Sequence, residues 1–395
     1  MPFQVPVLSA GDDCCRTDAM TTGLLTDTFA YGHAAATSWR LAAEACLAQC
    51  GPGVRNANLG FVYATDSFAE SFTDIVDFLR RRTGVEHWVG TVGLGICATG
   101  REYLDEPALA VMCCAFEDSA FRILRRVNSP RDVAQAKLEW GNHSANFAVL
   151  HADPANRTLT SLVRELAGRT QSGFVVGGLT SSRGRSVQFA DELVEGVLSG
   201  VLFSEDVTVA TRLTQGCSPI GPRHRVTETR HNVLIRLDGR PALEVLREDL
   251  GPQLAGSIGA LGGYIFAGLP VDADNTGDYI VRNLVGVDSV HNLVAIGEPV
   301  KAGSQVLFCR RDRGTASDDM QRMLTSIKSG LYRQPRGALY FSCLGRGASL
   351  FGENSDELRM IRDGLGDVPL VGFFCNGEIS HNRLYGYTGV LTLFV

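Results

Sequence analysis

The sequence predicts an α/β (α+β) fold in which a β-α-β-β unit recurs three times, building mixed sheets covered by helices and divided between two domains. Three observations carry that expectation. One pattern appears three times: an apolar strand, an amphipathic helix, a second strand ending in glycine-rich turn material, and a final apolar segment. A Val-Gly pair marks each second strand, and a phenylalanine closes each last segment. The chain's 395 residues also exceed the ~250–300 at which a single core stops growing.

Taken in order, a lead of residues 1–34 precedes a first domain, 35–226, and a second, 227–395. Early in the first domain, Cys46 and Cys50 lie four apart on a helix whose inward stripe also holds Trp39, Ala43 and Leu47. That spacing is core packing rather than a metal site. The first copy opens with the strand Leu59-Gly60-Phe61-Val62-Tyr63. A helix follows from Ser67 to Arg82, with Phe68, Phe72, Ile75, Val76 and Leu79 at helical spacing. Val89 to Gly93 is its second strand and Ala108 to Phe116 its third.

The second copy uses Phe147 to Leu150, a helix bearing Leu159, Leu162, Val163 and Leu166, then Phe174 to Gly178 and Gly196 to Phe203. Pro219, Pro222 and a polar run then break the periodicity and place a seam near 221–229. Beyond it, His231 to Leu237 reads as a strand, and Pro241 suits the first position of a helix with Leu243, Leu246 and Leu250. Strands near 283–287, 293–296 and 305–309 lead to a helix starting at Thr315, with Gly314-Thr315 as its cap. The third copy is Ala338 to Phe341, a helix with Leu358, Ile361 and Leu365, then Leu370 to Phe374 and Gly386 to Phe394.

Composition narrows the function. A net charge of −6, with no basic cluster longer than Arg80-Arg81-Arg82, leaves no electrostatic footprint for nucleic acid. The longest apolar run, Pro107 to Phe116, is far short of the ~18 residues needed to span a bilayer, so no membrane partner is expected. The N-terminus lacks the basic start and apolar stretch of a secretory signal, and the eleven cysteines are an odd number scattered along the chain. Both features lead to the expectation of a cytoplasmic protein with reduced thiols. Only Lys137, Lys301 and Lys328 could serve a Schiff-base enzyme.

Three turns carry concentrated chemistry: Gln215-Gly216-Cys217-Ser218-Pro219-Ile220-Gly221, Phe341-Ser342-Cys343-Leu344-Gly345-Arg346-Gly347, and Cys375-Asn376-Gly377-Glu378-Ile379. Glycines at such turns allow close approach of a ligand to the main chain, although a free cysteine among them can equally be a small core residue. In sheets of this class ligands favour the carboxyl ends of strands, where these turns fall. Arg346 suits a ligand carboxylate through its planar fork, and Asn376 and Glu378 suit an amine or amide. Cys217, Ser218, Cys343 and Cys375 would form the wall.

The first and last of these turns, with Leu237-Asp238-Gly239-Arg240-Pro241-Ala242-Leu243-Glu244-Val245-Leu246 and Tyr385-Gly386-Tyr387-Thr388-Gly389, resemble the FIST family of sensory proteins from about residue 35 to the end. The resemblance implies paired FIST N and FIST C domains and signal transduction through a small ligand, with amino acids proposed for the family at large. For a subgroup it implies haem-based sensing of nitric oxide and action on a partner histidine kinase. No kinase or cyclase segment accompanies the motifs, so output is expected through a separate protein. The resemblance assigns no catalytic residue.

Enzyme signatures are sparse, with no P-loop, no paired-histidine zinc helix and no complete Gly-x-Ser-x-Gly elbow. A cysteine hydrolase stays open, because Cys375, Glu378 and His381 supply nucleophile, carboxylate and base within seven residues. Haem also stays open, since one histidine is enough, and His381 and His87 are the candidate ligands. A protein-interaction scaffold is the remaining alternative. The residues favour a non-enzymatic sensor of a small polar ligand.

Overall fold

A computed structural model describes residues 29–255, 263–271 and 279–395. Three six-stranded sheets, built to one plan, dominate it. In each, a first and a second strand run parallel, joined by a helix, and a third strand pairs antiparallel with the first. Unit 1 uses Leu59–Thr65, His87–Gly93 and Ala108–Cys114. Unit 2 uses Phe147–Ala152, Phe174–Leu179 and Leu198–Phe203. Unit 3 uses Gly337–Cys343, Leu370–Cys375 and Thr388–Phe394. An edge strand then pairs with each third strand: Ala30–Ala35, Phe121–Val127 and Val209–Gln215.

The Val-Gly marker has a steric cause. Gly90, Gly177 and Gly372 lie opposite Val62, Leu150 and Tyr340 of the parallel neighbour. A Cβ at any of them would fall 1.7, 1.8 or 1.8 Å from that partner's carbonyl oxygen. The three glycines are therefore equivalent, and they align the rest of the units. One residue further along the first strands, Tyr63, His151 and Phe341 meet in the centre, with ring centroids 5.5 to 6.4 Å apart. Another ring triad, Phe116, Phe203 and Phe394, has centroids 5.4 to 5.8 Å apart. One expectation fails here. The registers place Cys114, not Phe116, level with Phe203 and Phe394. Phe116 lies two residues beyond its strand and supplies the third ring from the following turn.

The inner faces of the three sheets share one core, including Phe61, Val149, Leu339, Phe373 and Val390. On the outer faces the helices Phe72–Thr83, Leu159–Arg169 and Asp356–Leu365 cover the sheets with the apolar stripes read from the sequence. Cys46 and Cys50 belong to the same outer layer, on the helix Trp39–Cys50. The nine described cysteines are free thiols, and Cys14 and Cys15 lie outside the described residues.

What the strand pattern does not announce is an exchange of hairpins. After its second strand, each unit sends a short hairpin onto the second strand of a neighbouring unit. Gly95–Ala98 of unit 1 pairs with unit 3, Gln188–Ala190 of unit 2 with unit 1, and Glu378–Ser380 of unit 3 with unit 2. Residues on either side of the 226/227 division thus share sheets.

Between the edge strand Val209–Gln215 and the remainder of unit 3, residues 217–311 build a separate sheet that closes on itself. Gln305–Arg311 pairs on one side with Cys217–Pro219 and His224–Arg230, and on the other with Ile265–Pro270. The helix Ala242–Ala255, broken at Gly251, packs Leu243 and Leu246 against Val226, Leu234 and Phe308. His224 ties this sheet to both turn and helix, with Nδ1 2.7 Å from Asp238 and Nε2 3.0 Å from Asp249. The next helix begins earlier than expected, at Arg313. Asp312, not Gly314, caps it by accepting from the Thr315 amide, because a carboxylate satisfies an otherwise orphaned N–H.

Candidate functional site

The first strand of unit 3 ends at Cys343, and the turn behind it buries Arg346 almost completely, at 1% exposure. Glu357 makes this tolerable. Its carboxylate accepts from Arg346 Nε at 2.7 Å, Tyr340 Oη at 2.6 Å, the Gly347 amide at 2.8 Å and Ser342 Oγ at 3.1 Å. Burial works against the Arg346 charge, and Glu357 with Tyr340 more than offsets it, so the guanidinium is held above its ordinary range. With Nε engaged, Nη1 and Nη2 have no hydrogen-bond partner among the described residues. Phe351 packs against the guanidinium carbon at 4.9 Å from its ring centroid.

Glu378 begins the hairpin that unit 3 lends to unit 2 and is fully buried. Its Oε2 accepts from Thr388 twice, from Oγ1 at 2.6 Å and from the amide at 3.1 Å, while Oε1 has no partner among the described residues. Burial pushes this carboxyl up to about 8, against the opposing pull of Thr388, Arg346 and Cys343. Cys343, half-buried at the strand end, is in turn pushed up by burial and by the Glu378 charge.

The chain entering the closed sheet forms the adjoining wall. A Cβ at Gly216 would lie 2.6 Å from the Tyr387 carbonyl oxygen and 3.3 Å from Arg346 Nη1, so only glycine fits here. Next to it, Gln215 Oε1 is buried without a partner. Cys217 is buried and its carbonyl accepts from Tyr279 Oη at 2.6 Å; Ser218 is half-buried beside it. Arg311, opposite Cys217 in the strand register, donates from Nη2 to Ser349 at 2.7 Å and keeps Nε unpartnered. Tyr387 lays its ring against Phe266 at 4.4 Å and donates to Asn283 at 2.8 Å.

Seven buried side-chain polar atoms lack a partner among the described residues, and five of them, on Gln215, Arg311, Arg346 and Glu378, fall in this one cluster. Buried polar groups are normally satisfied, so such a concentration marks where a ligand or water belongs.

Among the residues singled out from the sequence, Cys217, Ser218, Cys343, Arg346 and Glu378 surround the cluster. Cys375 and Asn376 face unit 2 instead. The Cys375 thiol is fully buried, packs against Gly178 and donates to the Phe373 carbonyl at 3.4 Å. Burial pushes it well above its ordinary value, with the Glu378 charge adding to the effect, so it stays a thiol rather than a thiolate nucleophile. Asn376 is exposed, and its side chain donates to the Thr180 carbonyl at 3.1 Å. His381 sits at the hairpin tip with φ 55° and its ring against Phe174. Glu378 pairs opposite Gly178 and Ser380 opposite Val176, so the hairpin carries His381 away from Cys375 and Glu378. The hydrolase constellation is not assembled.

Sequence reasoning missed Glu357 and Arg311, and it gave no role to Gln215, Tyr387 and Thr388, which stand in the motifs it quoted. A signal existed for Glu357, which stands four and eight residues before Ile361 and Leu365 on the inward stripe of its helix. A carboxylate on such a stripe must either stay protonated or meet a buried cation, and so asks for a partner.

The histidines proposed for haem lie elsewhere. His87 Nδ1 is 2.9 Å from Asp191, at the start of its strand. His381 borders an open cavity of about 650 Å³ between units 2 and 3, lined mostly by polar side chains such as Ser172, Glu205, Thr211, Arg212 and Arg322. A porphyrin buries two apolar faces, and although Phe147, Phe174, Val207, Val209 and Leu213 contribute apolar surface here, polar side chains outnumber them, so the lining is a poor match to the group. Among the described residues, no cluster of three or more His, Cys, Asp or Glu could hold a metal, and no helix is long and apolar enough to cross a membrane.

Residues 58–240 match the family model described as the FIST N domain, and residues 242–381 that described as the FIST C domain. Over 349 residues the chain is 29% identical to an uncharacterized protein of Mycobacterium tuberculosis, covering 85% of this chain and 91% of the relative. It is similar at 30% identity over 351 residues to an uncharacterized protein of Mycobacterium bovis, covering 86% and 90%.

Proposed function

Because the chain belongs to the FIST family, we propose that it is an intracellular sensor whose ligand, an amino acid or a similar small polar metabolite, binds at the Arg346–Glu378 cluster. FIST domains are associated with sensory signal transduction. The observation that carries the ligand assignment is the pair of terminal nitrogens on Arg346 that have no partner among the described residues. Glu357 fixes the guanidinium through Nε, which leaves the two-pronged end that matches a carboxylate. Glu378 Oε1 provides an acceptor for a nitrogen on the same ligand, and Cys217, Ser218 and Cys343 border the space. Output passes to a separate signalling protein, such as the histidine kinase that the resemblance implies for the haem-sensing subgroup.

Calorimetry with the proteinogenic L-amino acids, on the wild-type protein and on Arg346→Ala, tests this reading. The variant is expected to lose about 1.5–3 kcal/mol of binding free energy, the scale of a hydrogen bond to a charged group. Unchanged affinity in Arg346→Ala would place the ligand elsewhere.

A further inference from the structure

We infer that the ligand enters as a zwitterion whose ammonium pairs with Glu378, and that its binding expels one proton from that carboxyl into solvent. The inference rests on the ligand site proposed above and adds to it the charge class of the ligand and a linkage to pH.

Geometry locates the proton. Glu378 Oε2 already accepts two hydrogen bonds from Thr388, so a proton on this carboxyl resides on Oε1, the oxygen without a partner. Among the described residues, the groups packed around it do not supply a free cation. Cys343 and Cys375 are thiols on the two parallel strands of unit 3, Tyr385 is a phenol opposite Glu378 in the hairpin and Tyr387 one just after it, Gly178 is opposite on unit 2, and Arg346 is already neutralised by Glu357. Burial without a dedicated counter-charge favours the neutral acid, in keeping with a carboxyl pushed up to about 8.

An ammonium has donors only, and a protonated Oε1 has a hydrogen in the way. For the two to meet, Glu378 must release its proton to solvent, while the ligand keeps its own three. The result is a row of alternating charges: Glu357 carboxylate, Arg346 guanidinium, ligand carboxylate, ligand ammonium, Glu378 carboxylate. Unit 2 shows the arrangement without this property. Gln188 holds the same register position, and both ends of its amide are engaged, Nε2 donating to the Val197 carbonyl at 3.1 Å and Oε1 accepting from Ser199 Oγ at 2.8 Å.

The test is calorimetry in two buffers of unlike ionisation enthalpy, using the tightest-binding L-amino acid of the panel and the matching carboxylic acid without the amine. Wild type should release close to one proton per zwitterion bound near neutral pH. Its affinity should rise about tenfold per pH unit up to about pH 8, then level off. The des-amino acid should bind without proton release, and Glu378→Gln should bind the zwitterion more weakly with no proton release. In the infrared, the ligand-free protein should show a protonated carboxyl band that Glu378→Gln diminishes; a band from Glu102, also raised to about 8, should persist. Zwitterion binding with no proton release, or an infrared band unchanged in Glu378→Gln, overturns the inference and leaves the site assignment standing. Absence of any amino-acid binding even above pH 8, where Glu378 is ionised, overturns both.

Discussion

Glu378 and Gln188 occupy the same place in two copies of one unit. Each is the first residue of an exchanged hairpin and lies opposite the residue that follows the strand glycine, Gly178 for Glu378 and Thr91 for Gln188. Gln188 satisfies both ends of its amide, whereas Glu378 leaves one carboxyl oxygen without a partner. A one-atom chemical difference at an equivalent position thus separates a closed corner of the fold from its candidate site.

That difference predicts a pH dependence of stability. Glu378 titrates near 8 in the folded protein against 4.5 for an ordinary glutamate, so its contribution is present in full below about 4.5. It is lost as pH rises and is gone above about 8. Glu378→Gln should therefore gain on wild type by up to about 4 kcal/mol as pH rises between these limits. Urea unfolding at several pH values measures it; parallel curves for the two proteins would refute it.

His151 predicts the opposite limb. It is fully buried among Tyr63, Phe341 and Phe373, with Nε2 3.0 Å from Tyr63 Oη, and burial holds it down to about 3 from 6.5. The unfolded chain takes up a proton below about 6.5 that the folded chain refuses until about 3, so this contribution is lost as pH falls. His151→Phe, which copies the residue unit 3 uses here, should flatten the acid limb of the melting temperature against pH. An unchanged slope would show that His151 is not the group responsible.

Removing the carboxylate of Glu357 should be severe. Glu357→Gln leaves the Arg346 charge buried without its counter-ion, a loss of about 3–5 kcal/mol by analogy with other broken buried pairs. Replacing both, with Arg346→Met and Glu357→Gln, should recover part of the stability but none of the ligand binding. Denaturant midpoints and calorimetry on the same samples separate the two effects.

The strand glycines should be intolerant of even a methyl group. Gly90→Ala and Gly372→Ala force a Cβ against a backbone carbonyl, and each is expected to destabilise by about 3 kcal/mol or more, the range of strongly overpacked sites. Gly168→Ala is the control. It is exposed in the helix Leu159–Arg169 with nothing within 4 Å of an added Cβ, and it should stabilise by about 0.5–1 kcal/mol.

Titration with haemin should give no saturable, stoichiometric Soret change, since the cavity beside His381 is lined mostly by polar groups. A saturable change abolished by His381→Ala would reassign that cavity.

The sequence by itself determined the three β-α-β-β units, their helices, and the place of the strand glycines. These follow from local periodicity and from a steric demand that recurs wherever two parallel strands meet as they do at Gly90, Gly177 and Gly372. It also picked out Arg346, Glu378, Cys343 and Cys217, since chemistry-bearing residues beside glycines at strand ends are visible without a structure. Which of them border the unpartnered polar atoms is set by the tertiary packing. Cys375 and Asn376 are three residues or fewer from Glu378, yet they face another unit, because a strand and the hairpin after it present alternate residues to different neighbours. The exchange of hairpins among the three sheets, the closure of the 217–311 sheet, and the pairing of Arg346 with Glu357 depend on contacts between residues far apart in the chain. No local pattern encodes such contacts, and here they set which buried polar atoms are satisfied and which have no partner among the described residues.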